Sequence, residues 1–99
     1  MKRFEKGDIV VSIQGRDLGV HYLVCETLSD NYYLLTNGDN KKFENPKRKI
    51  AKHIDKIGQT HDNIKMKLNC GLKVFDSEVY SAIKKFKEDS IKGNDEVIR

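Results

Sequence analysis

Between residues 41 and 56 the chain carries Lys41, Lys42, Lys47, Arg48, Lys49, Lys52 and Lys56, with His53 among them and only Glu44 and Asp55 opposing. Side chains of this kind neutralise phosphates and release their condensed counterions, the largest sequence-independent term in nucleic-acid binding. The concentration is local. Residues 1–40 hold four basic and six acidic residues, residues 41–56 seven and two, and residues 57–99 eight and seven, so the net charge of +4 is placed in one short stretch. Screening removes exposed interactions beyond about 10 Å at ordinary salt, so this density says more about a polyanionic partner than the total does. A solvated basic face that keeps a small protein dissolved is the competing interpretation.

Other chemistry-bearing residues are few. Arg16, beside Asp17 in the turn Gly15-Arg16-Asp17-Leu18-Gly19, can lie on a base or fork onto a phosphate. Asp17 is expected to bond loop amides, and Gly15 and Gly19 to shape the turn. Tyr22, Tyr32 and Tyr33 offer rings for stacking. The core is the preferred place for any one of them, and adjacent Tyr32 and Tyr33 must point to opposite strand faces. His21, His53 and His61 have no metal-ligand spacing with each other or with Cys25 and Cys70, so no metal is assigned. There is no nucleophile elbow, P-loop or H-E-x-x-H, and no enzyme or cofactor is expected. The two cysteines lack a C-x-x-C spacing and are expected to be reduced.

The elements that would position these residues are legible in part. At 99 residues the chain makes one domain. No apolar run approaches the roughly 18–20 residues of a bilayer span, and the basic N-terminus is followed by no hydrophobic signal region, which together suggest a cytoplasmic protein with no membrane partner. Ile9, Val11 and Ile13, then Val20, Tyr22 and Val24, alternate around the 15–19 turn, predicting strands near 8–14 and 20–27, each with one buried face. Phe4 is placed on the edge of this sheet. Leu28-Ser29-Asp30-Asn31 is a turn cluster and Tyr32–Thr36 a third strand. Asn37-Gly38 then reads as a hairpin turn into a fourth strand, Lys41-Lys42-Phe43-Glu44, closed by Pro46.

The order Lys6-Gly7-Asp8-Ile9-Val10, Gly15-Arg16-Asp17-Leu18-Gly19, a tyrosine-rich strand and a basic stretch resembles the KOW motif. In particular it is similar to short bacterial KOW proteins related to large-subunit ribosomal proteins. Residues 5–57 carry the resemblance, and 76–88 more loosely. It implies a small SH3-like antiparallel barrel of about five strands. It implies a non-catalytic RNA-binding role in translation, with ribosomal RNA and large-subunit proteins as partners. The first inter-strand loop would touch RNA, although Leu18 stands where such loops often carry a basic residue. By this reading Arg16, Lys41, Lys42, Lys47, Arg48, Lys49, Lys52, His53 and Lys56 form the binding rim. A protein-interaction adaptor in translation or transcription complexes is the alternative, because barrels of this type also dock proteins.

Residues 47–57 divide the two lines of reasoning. Ile50, Ile54 and Ile57 have helical spacing, whereas the resemblance implies a closing strand near 51–56. The strand is preferred, because four short strands make a poor barrel. The barrel would then occupy 1–58. A linker or short helix follows over 59–75, with Asp62 as cap and Gly71 at the end; Ile64, Met66 and Leu68 fit a strand as well. Over 77–88, Val79, Ala82, Ile83 and Phe86 make a helical stripe, with Asp76 as N-cap and lysines toward the end. The helical segment is taken as 76–90, and 91–99 as a frayed tail.

Overall fold

The computed structural model describes residues 2–98, the final nine by backbone alone. Five antiparallel strands, β1 (Asp8–Ser12), β2 (His21–Thr27), β3 (Tyr32–Thr36), β4 (Lys47–Ile50) and β5 (Ile54–Gln59), form one sheet ordered β4-β3-β2-β1-β5. Two helices follow, α1 (Asp62–Asn69) and α2 (Asp76–Ile98). Among the described residues no helix is long and apolar enough to cross a membrane. A 3₁₀ turn, Ala51–His53, carries the chain from one edge strand of the sheet to the other. Ala51 donates to the Asn31 carbonyl at 2.8 Å, and the His53 carbonyl accepts from Ile13 at 2.9 Å. The helical spacing of Ile50, Ile54 and Ile57 therefore marks two short strands joined by a single tight turn. The second strand begins at Ile54, later than the expected 51.

The central strands are buried on both faces, not one. Val10, Tyr22, Val24, Tyr33, Leu35, Ala51 and Ile54 pack on the inner face with Phe4. The Phe4 ring meets Tyr33 edge-on at 5.2 Å, and its amide donates to the Tyr33 hydroxyl. On the other face Leu23 packs with Ile64, Val74, Val79, Ala82 and Ile83, so the helices cover what would otherwise be solvent-facing positions. Ile9 and Val10, adjacent on β1, are consequently both buried, while Ile13 and Val20, expected within the strands, lie just outside β1 and β2 and are exposed. Gly58 on β5 leaves room for α2: a Cβ there would stand 2.2 Å from the Phe86 ring.

The turn at Asp30 and Asn31 places both residues at positive φ, 60° and 64°, as a primed hairpin turn requires. The next connection departs from expectation. The Asn37 side-chain oxygen accepts the amides of Asp39 and Lys41, which opens a broad loop instead of a tight hairpin. The Phe43 amide goes to the Asp76 carboxylate at 2.9 Å, and the Phe43 ring packs among the helices. Residues 41–44 thus pair with no strand, and β4 starts after Pro46.

The same bond explains Asp76. Its carboxylate serves Phe43, and the start of α2 is closed by Glu78, which accepts the Phe75 amide at 3.1 Å. That bond, with the Lys67 ammonium, holds the Glu78 carboxyl below its ordinary value. In α1 the capping position is His61 and Asp62 is the first helical residue. Gly71 ends that helix at φ 72°, as expected. The backbone of α2 stays helical to Ile98, so the segment read as a frayed tail continues the helix.

Candidate nucleic-acid interface

The basic stretch does not form one rim. On β4, Lys47 and Lys49 pair with Leu35 and Tyr33 and share their inner face, whereas Arg48 alternates to the other side. Arg48 is exposed and lies over the Tyr32 ring at 4.1 Å. Tyr33 is buried and Tyr32 only partly so, the division that adjacency demanded. Lys52 is exposed on the 3₁₀ turn and His53 is half-buried. Lys56 forms an ion pair with the buried Asp8 carboxylate at 3.4 Å. Lys42 is exposed in the 37–46 loop.

Lys49 is the clearest departure from the expected rim. Its side chain is 8% exposed, and its ammonium is held by Asp17, the Ser12 hydroxyl at 2.6 Å and the Gln14 carbonyl at 2.7 Å. Asp17 also accepts from the Ser12 and Tyr22 hydroxyls, each at 2.8 Å. Burial works against the Asp17 charge, but donors from Lys49, Tyr22 and Ser12 outweigh it and hold the carboxyl well below the usual carboxylate range. Burial, reinforced by the Asp17 bond, raises the Tyr22 hydroxyl well above its ordinary value. The Asp17 side chain is thus committed to buried donors instead of loop amides, and Tyr22 is core. The turn keeps the conformation its glycines allow, with Gly15 and Gly19 at φ 98° and 87°. The effect is to fasten the 15–19 turn, and Arg16 with it, to the sheet.

What the fold does assemble is a groove of about 670 Å³ between that turn, the 37–41 loop, the start of β4 and α2. Five cations line it: Arg16, Lys41, Lys47, Lys84 and Lys87. Of the two carboxylates there, Asp17 is consumed by Lys49, which leaves Asp39 on the rim with no ion-pair partner among the described residues. No family model matches this chain, and no curated protein matches it. The groove has to be read from its own chemistry. Three of the five cations, Arg16, Lys41 and Lys47, were expected from the sequence.

Lys84 and Lys87 are among the lysines that the sequence sets toward the end of the helix, where they suit its dipole, and the sequence gives Tyr80 no role. Their spacing of four and seven residues put all three on one face of α2, beside the core stripe. That pattern was the available signal. The rest of the molecule offers less. Among the described residues no group of His, Cys, Asp and Glu is placed to hold a metal. Cys25 is half-buried and gives its thiol hydrogen to the Leu34 carbonyl, while Cys70 is exposed.

Proposed function

We propose that this protein is a non-catalytic RNA-binding module that grips phosphates in the groove between its first inter-strand turn, its 37–41 loop and α2. The observation that carries this reading is the convergence of Arg16, Lys41, Lys47, Lys84 and Lys87, from a turn, a loop, a strand and a helix, on one concave surface. Converged lysines repel one another, and a phosphate backbone is the partner that relieves this while releasing counterions. The KOW-like residues at 6–19 favour RNA, with ribosomal RNA of the large subunit as the first candidate. The SH3-like barrel type is part of this proposal. Its support is the strand order β4-β3-β2-β1-β5 with a 3₁₀ turn between the two outermost strands.

The test is binding of labelled ribosomal RNA fragments by fluorescence anisotropy across a salt series. If all five cations engage phosphates, log Kd should change with log salt by a slope of about 3.5 to 4.5. Charge reversal at Arg16, Lys84 and Lys87 should flatten that slope and weaken binding, whereas reversal at Arg48 on the other face of β4 should do neither. RNA binding that survives the triple reversal unchanged, or no RNA binding at all, would refute the proposal.

A further inference from the structure

We propose that the groove takes an unpaired stretch of RNA and seats one of its bases on the ring of Tyr80. This rests on the reading of the groove as an RNA site and adds which form of RNA it accepts. Tyr80 is 49% exposed although it stands between Val79 and the buried Ala82 and Ile83 of α2. It stands at the border of that core stripe, next to Ile83, and lines the groove with it. Lys84 and Lys87 follow on its side of the helix, about 6 and 10 Å farther along the axis. One aromatic face followed by two ammonium groups is the arrangement that holds a base and its neighbouring phosphates in single-strand binding.

The wall is preformed. Gly38, at φ 73°, lies so close to the first turn of α2 that a Cβ would stand 2.2 Å from the Asp76 carbonyl and 2.7 Å from the Tyr80 amide. Loop and helix backbones are therefore in contact beside the ring, and the turn of α2 that carries Tyr80 is already placed against the loop when a base arrives. A concavity of about 670 Å³ has the volume of a small-ligand cleft. A duplex keeps its bases stacked inside and can offer only its backbone to the rim, leaving the tyrosine without a partner. An unpaired segment can place a splayed base into the concavity while its phosphates follow the lysines.

The experiment compares a short labelled RNA strand with its own duplex, using the native chain, Tyr80→Ala, Tyr80→Trp and the Lys84→Glu/Lys87→Glu pair, with thermal melts of each. The native chain should prefer the single strand. Tyr80→Ala should weaken single-strand binding about 5- to 150-fold, leave duplex binding and the salt slope where they were, and keep the native melting temperature. Tyr80→Trp should retain the affinity. The lysine pair should weaken both forms and flatten the slope. Equal affinity for strand and duplex, or an unaffected Tyr80→Ala variant, overturns this inference while leaving the groove an RNA site. Absence of RNA binding, or salt-insensitive capture of a protein instead, overturns both.

Discussion

Lys49→Met removes one charge from an enclosed ion pair and leaves the other behind. The Lys49 and Asp17 side chains are 8% and 16% exposed, so water cannot replace the lost ammonium around the carboxylate. Breaking a buried pair from one side costs about 3–5 kcal/mol. Asp17 keeps its bonds from Ser12 and Tyr22, each at 2.8 Å, which places the expected loss near the lower end, about 3 kcal/mol. Against a total stability of about 5–15 kcal/mol for a domain of this size, that is a fifth or more of the whole. The melting temperature should fall by roughly 12–24 °C. Urea unfolding followed by circular dichroism would measure Lys49→Met, Asp17→Asn and the double variant. Removing both charges should cost less than the sum of the single losses, with a coupling of about 1–3 kcal/mol. A Lys49→Met loss under about 0.5 kcal/mol, the size of an ordinary surface change, would refute the reasoning, and so would strict additivity.

The same pair sets an acid limit. Because the Asp17 pKa is lower in the folded chain than the roughly 3.9 of an unfolded aspartate, its stabilisation is fully present above that value and is lost as pH falls through the folded pKa. The stability gap between the native chain and Asp17→Asn should therefore narrow below about pH 4 in acid titrations of unfolding. Gly58→Ala should cost about 1–3 kcal/mol by pressing a methyl into the Phe86 ring. Added to a Phe86→Ala chain, the same change should cost clearly less, and equal costs in both backgrounds would rule out that contact. Burial pushes the Cys25 thiol up to about 11, so at pH 8 it is almost entirely protonated, whereas Cys70 lies in solvent. Thiol titration with a disulfide reagent should show one fast and one slow cysteine, and two equal rates would contradict the described burial.

Local pattern sufficed for the existence of β2, β3 and the core-facing part of α2, because alternation and helical stripes are properties of neighbouring residues; it left 61–70 open between helix and strand, and the caps it named at Asp62 and Asp76 are not the ones the helices use. It failed at 41–44, where an Asn-Gly hairpin signal was present but the Asn37 side chain opened the loop and the Phe43 amide was claimed by Asp76, far along the chain. It failed for β1 and β2 as one-sided strands, since nothing in their alternation reveals that α1 and α2 will cover the second face. Charge density located an electropositive segment but not the direction of any side chain in it. The β3–β4 register turned Lys49 inward toward Asp17 and left Lys47 at the groove, although the two lysines are separated by one residue and share a strand face.

From its sequence alone this chain was determined to be a small β-rich domain with a helical end and an uneven distribution of positive charge. Only the tertiary structure decided which cations stand together. Arg16, Lys41, Lys47, Lys84 and Lys87 meet because strand pairing brings the 15–19 turn beside the 37–41 loop, and because α2 packs back on the sheet at Gly38 and Gly58. Helix and strand formation depend on a few adjacent residues. The company a charge keeps depends on contacts between segments far apart in the chain.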